Sequence, residues 1–211
     1  MGNFLGIDAS TQSMTGLVIN TSSAQIIAEE SVNFDEYYAE KYGVENGVLD
    51  AGNGVVHSPP LMWAEALEAL LRQLRESGIN LASIEAVSGS GQQHGTVYLN
   101  QSAAGVLGGL RSDLSLTDQL NGVFSRPTAP VWMDTSTRVQ CDEIETGVGG
   151  RQRLLELTGN TAFERFSGPQ IRKFAQQEPA AYERTTTICL VSSFVASLLA
   201  GRVVPVDAGD G

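Results

Sequence analysis

GIDASTQSMTGLVI, Gly6 to Ile19, sets one acid, Asp8, and a row of small hydroxyl residues between two short apolar runs. FLGID, ending at Asp8, reads as a buried strand, and MTGLVIN, beginning at Met14, as a second strand following closely. AQIIAEESVNF alternates well enough to be a third, and strands joined by such short turns favour an antiparallel start. The first turn presents several backbone N–H groups to one point. The hydroxyls of Ser10, Thr11 and Ser13 and the amide of Gln12 add donors, making a nest suited to phosphate oxygens. Asp8, at the end of its strand, is placed to hold a hydrated Mg²⁺ beside those oxygens. The same residues also read as a plain polar hairpin whose Asp caps its own turn, and the stretch alone does not separate the two readings.

Beyond this turn the chain alternates helix and strand signals. EYYAEKYGVENGVLDAGNGVVHSPP reads as an irregular, Gly-rich excursion. Ser58 is expected to N-cap a helix with Pro59 and Pro60 in its first turn. Trp63, Leu67, Leu70, Leu71 and Leu74 lie along one face of it, and Gly78 ends it. SIEAVSGS, GQQHG and TVYLN follow as strand, turn and strand, the helix crossing over as in a βαβ unit and giving a mixed sheet. LTDQLNGVF is helix-like and APVWMD is expected as a further strand, with Trp132 in the core and Asp134 capping the next helix. STRVQCDEIETGVGG, RQRLLELTG, GPQIRKFAQQ and VSSFVASLLAG read as helices, interrupted by the strand-like TTTICLV.

Composition excludes several classes. The 211 residues are 42% hydrophobic and 18% charged, which suits a folded globular chain and not a disordered one. With 24 acidic against 13 basic side chains the net charge is −11, and no basic stripe is present, so nucleic acid is not an expected partner. No apolar run approaches the ~18–20 residues that span a bilayer, so no membrane partner is expected. Cys141 and Cys189 lack metal-ligand spacing and the N-terminus lacks an export signal, which fits a reduced cytoplasmic location.

GIDASTQS, SGSGQQHGTVYLN, PVWMDTSTRVQCDEI, LTGNTAFERFSGPQIRKF and LVSSFVASLLAGRVVPVDAGDG occur in the order in which similar motifs occur in the FGGY carbohydrate kinases. The chain most resembles the N-terminal half of the eukaryotic-type xylulokinase branch, from about Phe4 to Gly211. Asn20–Pro59 and Gln101–Thr128 match least. The resemblance implies an α/β, actin-like (ribonuclease-H-like) mixed sheet flanked by helices, the N-terminal domain of a two-domain sugar kinase. Residues 1–211 would be its sugar-binding domain, with the ATP-binding domain absent.

The same resemblance assigns roles. Asp8 would organise Mg²⁺ through water in catalysis, and Ser10, Thr11, Gln12 and Ser13 would face the ATP phosphates. Many members carry Asp-x-Gly-Thr here; Ser10 replaces that Gly, so the backbone at this point must accept a Cβ. Gln93, His94 and Arg165 would bind the ketose: an imidazole both donates and accepts, and a guanidinium spans two hydroxyl oxygens. An ion pair with Glu164 is the alternative for Arg165, and His57 is left structural. The general base of the family lies in a Gly-Asp-Asn element, and no GDN occurs. It is expected beyond Gly211, since Asp207 and Asp210 match an earlier Asp-rich turn.

The expected function is ATP-dependent phosphorylation of a ketopentose, D-xylulose to D-xylulose 5-phosphate. The isolated chain is expected to be inactive, and the complete enzyme to form a homodimer. The alternative is a non-catalytic sugar-binding or interaction module built from the same domain.

Overall fold

The three strands expected at the start form the antiparallel part of the main sheet in a computed structural model describing residues 2–210. Met1 and Gly211, the ends of the expected 1–211 domain, lie outside it. Strands β1 (Asn3–Ala9), β2 (Ser13–Asn20) and β3 (Gln25–Asn33) are followed by helix α1 (Phe34–Tyr42), strands β4 (Leu49–Gly52) and β5 (Val55–Ser58) and helix α2 (Pro60–Glu76). Next come β6 (Ile84–Gly91), β7 (Thr96–Asn100), α3 (Ala103–Gly108), α4 (Leu116–Leu120) and β8 (Ala129–Pro130). The rest is α5 (Arg138–Gly147), α6 (Arg151–Thr158), α7 (Ser167–Gln177), α8 (Pro179–Glu183), β9 (Thr185–Leu190) and α9 (Val191–Ala200).

The main sheet has the order β3-β2-β1-β6, with β6 parallel to β1, so the expected mixed sheet and its crossover are present. β7 leaves this sheet at the Gly91–Gly95 turn and pairs instead with β9, while β4, β5 and β8 form a third, small sheet. One face of the main sheet is apolar: Leu5, Ile7 and Ala9 alternate inward from β1, joined by Met14, Val18 and Val32. Trp63, Leu67, Leu70 and Leu74 of α2, all at most 1% exposed, close this face together with Phe194 and Val195 of α9. The opposite face, bearing Gly6, Asp8, Ser88 and Ser90, is exposed.

Several local expectations are corrected. The Gly-rich excursion is ordered into α1 and the β4–β5 hairpin. Asn33 caps α1 by accepting from the Glu36 amide, Gly43 ends it, and Phe34 and Tyr38 bury its inner side. Asn53 and Gly54 turn the hairpin with both φ angles positive, 53° and 77°, the type I′ geometry that Asn-Gly favours. Ser58 does not cap α2. Its hydroxyl donates to the Gly47 carbonyl at 2.9 Å, and Pro59 takes the cap position with no side-chain bond.

APVWMD is a strand only at Ala129–Pro130, because the chain then turns on a bond from the Asp134 amide to the Val131 carbonyl. Trp132 is thereby 46% exposed and not core. Asp134 does not cap α5 either, since Thr137 precedes that helix.

Asp134 is instead the hub of a buried polar network. Fully buried, it accepts from the Val56 amide at 3.0 Å, from the Ser136 amide and hydroxyl, and from Gln170 Nε2 at 2.7 Å. Lys173 Nζ donates in turn to Ser136 Oγ at 2.6 Å. His57 Nε2 lies 3.5 Å away without hydrogen-bond alignment. Burial alone would raise the Asp134 carboxyl, but the groups from His57, Ser136 and Gln170 that face it outweigh burial and hold it well below the usual carboxylate range.

A carboxyl held low in the folded state stabilises fully above its unfolded value near ~4, and this stability is lost as the pH falls through the folded value. Asp134→Ala should therefore cost about 3 kcal/mol or more, leaving buried donors unpaired. Melting temperatures from pH 7 to 2 should fall less steeply for Asp134→Asn than for the unsubstituted chain. Equal stability of Asp134→Ala and the unsubstituted chain in urea would refute the hub.

Candidate active site

Asp8 closes β1 with its carboxylate on the exposed sheet face, where Oδ1 accepts from Ser90 Oγ of the neighbouring β6 at 2.6 Å. The turn that follows is held by its own side chains. The Ser10 amide and hydroxyl both donate to the Ser13 carbonyl at 2.9 Å, and the Ser13 amide donates back to Ser10 Oγ at 3.2 Å. Ser10 is not among the residues of positive φ, so a Cβ is accommodated where many relatives by motif carry Gly.

Gln12 is fixed on both sides, its carbonyl accepting from the Phe34 amide and its Nε2 donating to Asn46 Oδ1. Gly47 backs the turn so closely that a Cβ there would lie 2.0 Å from the Thr11 carbonyl oxygen. Among the described residues nothing accepts from the amides of Thr11 and Gln12, which leaves two backbone donors of this turn without a protein partner.

The GQQHG turn links β6 to β7 beside it. Gly91 and Gly95 are required by the N-terminus of α9: a Cβ on Gly91 would sit 2.7 Å from the Ser192 amide, and one on Gly95 2.7 Å from Val191 Cγ2. Between them His94 adopts the left-handed region at φ 66°, uncommon for a residue with a side chain. Its ring stacks at 4.9 Å from Phe166, tilted by 35°. Burial first, and the Arg165 guanidinium second, push the His94 pKa below its usual value. Both effects favour the neutral form of the His94 imidazole.

Arg165 is exposed in the loop before α7, with its guanidinium 5.7 Å from the ring centres of both Phe163 and Phe166. The ion pair with Glu164 is not formed; Glu164 faces Arg138 at 3.8 Å, and no carboxylate pairs with Arg165 among the described residues.

These elements meet in one cleft of about 540 Å³ lined by Asp8, Ser10, Thr11, Gln92, Gln93, His94, Trp132 and Arg165. A second cleft of about 570 Å³ runs along Ser10 to Ser13 with Asn46, Trp132 and Met133. A small one of about 180 Å³ joins Gln92, Gln93 and His94 to Ser167 and Asp210, whose carboxylate accepts from Ser192. Asp8, Gln93, His94 and Arg165 thus face one space, and Gln12 and Ser13 face the next.

Sequence reasoning missed Trp132, Gln92 and Ser90. The Trp132 indole N–H donates to Thr11 Oγ1 at 2.9 Å, and Thr11 Oγ1 lies 3.5 Å from Gln92 Oε1. The period of two along β6, paired in parallel with β1, places Ser90 beside Asp8, whereas Gln92 lies in the turn beyond the strand and nothing in the sequence distinguished an exposed Trp132 from a core one.

Among the described residues no helix is long and apolar enough to cross a membrane, no group of three or more potential ligands forms a metal site, and both cysteines are free and buried.

No family model matches the chain. It is 46% identical over 209 residues to Xylulose kinase 2 of Arabidopsis thaliana, covering 98% of this chain and 37% of the relative. It is 40% identical over 208 residues to the probable D-xylulose kinase A of Aspergillus clavatus, covering 98% and 36%. In structure it is similar to the xylulose kinase of Rhodospirillum rubrum (TM-score 0.72, 17% identity, 96% of this chain and 35% of the other). The xylulose kinase of Bifidobacterium adolescentis is comparably similar (TM-score 0.69, 20% identity, 97% and 35%). The chain therefore has the fold expected of this kind of sugar kinase and is similar along its length to xylulose kinases, while spanning little more than a third of the relatives it matches.

Proposed function

We propose that this chain is the sugar-binding half of an ATP-dependent ketopentose kinase that converts D-xylulose to D-xylulose 5-phosphate. The observation that carries the reading is the convergence of Asp8, Gln93, His94 and Arg165 on one cleft beside the turn at Ser10–Ser13. A neutral His94 donates to one ketose oxygen and accepts from another. Arg165, paired with no carboxylate among the described residues, spans two more, and the Gln93 amide completes the set. The exposed indole face of Trp132 offers an apolar wall for the C–H side of the sugar.

Phosphoryl transfer needs both substrates aligned and the phosphate charge neutralised. The amides of Thr11 and Gln12, which have no acceptor among the described residues, would supply donors to phosphate oxygens. The Ser10 and Ser13 hydroxyls, bonded to each other and to the turn, hold its shape and leave the amides to bind. Asp8 fits Mg²⁺ held through water: it is a single exposed carboxylate with one oxygen accepting from Ser90 and no second hydrogen bond among the described residues. When bound, Mg²⁺ neutralises phosphate charge. The general base and the adenosine pocket belong to the remaining length of such a kinase.

Titration of the 211-residue chain with D-xylulose should show binding no tighter than roughly millimolar, because the open cleft leaves the sugar in competition with water. His94→Ala and Arg165→Ala should each weaken it by about tenfold, the loss of ~1.4 kcal/mol of hydrogen bonding. Affinity unaffected by either substitution would sink the sugar assignment.

The His94 titration gives a second test. Removing the guanidinium in Arg165→Gln removes a cation that disfavours imidazolium, so the His94 midpoint should move up toward its ordinary value in ¹H–¹³C spectra. No movement would mean that the two side chains do not share the cleft in solution.

In a complete kinase carrying this domain, Asp8→Asn should leave ketose affinity nearly unchanged and depress turnover. Wild-type turnover would exclude a metal-organising role.

A further inference from the structure

The turn at Thr11 touches the sugar cleft in a way that the phosphate-facing role does not use. Trp132 stands at the tip of a loop whose ends, Val131 and Asp134, are buried, so that the indole projects 46% exposed between the two large clefts. Both clefts are lined by Ser10, Thr11 and Trp132, which makes the Thr11–Trp132 contact the partition between them. That contact is the 2.9 Å bond from the indole N–H to Thr11 Oγ1, across 121 positions of sequence. Thr11 Oγ1 lies in turn 3.5 Å from Gln92 Oε1, on the turn that carries Gln93 and His94.

We infer that the Thr11 side chain is a positioning residue for the ketose site: its hydroxyl clasps the Trp132 indole and fixes the aromatic wall against which the sugar lies. Only the Thr11 backbone amide remains for phosphate. The inference deepens the ketose-kinase reading and rests on it for the identity of the sugar, whereas the clasp itself rests on the hydrogen bond alone.

The geometry carries the argument. An indole has two side-chain torsions, and a bond at its far end restrains both. Without it, an indole anchored only at its Cα on an exposed loop tip samples several rotamers, and the sugar must select one of them on binding. Gly47 holds the Thr11 backbone from behind, as its approach to the Thr11 carbonyl requires, so the hydroxyl is presented from a fixed point.

The test uses the ¹⁵N-labelled 211-residue chain, with Trp132→Phe assigning the two indole N–H signals against Trp63. In Thr11→Val the Trp132 indole proton should move upfield and exchange with solvent several-fold faster, while the backbone spectrum stays dispersed. Thr11→Ser, which keeps the hydroxyl, should restore both. D-xylulose affinity should fall roughly three- to tenfold in Thr11→Val, as for one hydrogen bond lost, and recover in Thr11→Ser.

An unchanged indole signal in Thr11→Val overturns the clasp. A changed indole with unchanged xylulose affinity overturns the positioning role. Failure of the unsubstituted chain to bind xylulose, with the indole response intact, overturns the ketose reading and leaves the clasp standing.

Discussion

The arrangement of the cleft depends on one buried carboxylate. Asp134 has no contact with solvent, and a charge so placed persists only because four donors converge on it, two from the adjacent Ser136 and one each from the distant Val56 and Gln170. The two distant donors tie it to other elements. The Val56 amide ties it to the β4–β5 hairpin. Gln170, held at one acid oxygen, uses the same amide nitrogen to bond the Glu164 carbonyl at 3.1 Å, and Thr137 bonds that carbonyl too, at 2.6 Å. Arg165 follows directly. On the other side, the bond from the Asp134 amide to Val131 closes the loop that presents Trp132. Two walls of the cleft, one cationic and one aromatic, therefore take their positions from a residue that touches neither the cleft nor its contents.

The remaining wall is fixed by close packing. α9 begins against the GQQHG turn at distances that leave little room for a Cβ at Gly91 or Gly95, and between these two glycines His94 holds a left-handed conformation costing about 1 kcal/mol or more. The conformation lays the imidazole against Phe166, beneath Arg165, where burial and the neighbouring cation favour its neutral form. Backbone strain and a lowered imidazole pKa thus meet at one residue of this wall.

The sheet and most helices were legible because their signals are local and periodic: the alternation of β1 and β2, the apolar face of α2, and the helical runs of α7 and α9. The α1 and β4–β5 segment was less legible, since its Gly content masks signals that were nonetheless present: Asn33 as a cap, Asn53-Gly54 as a hairpin turn. For the cleft, Asp8, Gln93, His94 and Arg165 came from motif order, and the structure brings them to one space. Trp132 and Asp134 were misplaced because each sits in PVWMD, where an apolar run suggests a strand and an acid before small polar residues suggests a cap. What reverses both readings is Gln170 and Thr11, partners 36 and 121 positions away. Tertiary partners at that separation leave no periodic trace in a single sequence.

A chain of net charge −11 is an unpromising receptor for phosphate if charge is averaged over its surface. At the turn the local field is set differently. One oxygen of Asp8 accepts from Ser90, and the Asp35 carboxylate accepts from the amides of Asn46 and Gly47. The serine hydroxyls bond within the turn, and the Thr11 and Gln12 amides, each a dipole positive at its hydrogen, have no acceptor among the described residues. Asp8 has one hydrogen-bonded oxygen, and under the proposed function its carboxylate would hold a hydrated divalent cation. Such a cation would offset the acidity of the domain, so that a cation-bound nucleotide would meet less repulsion here than the bare polyanion.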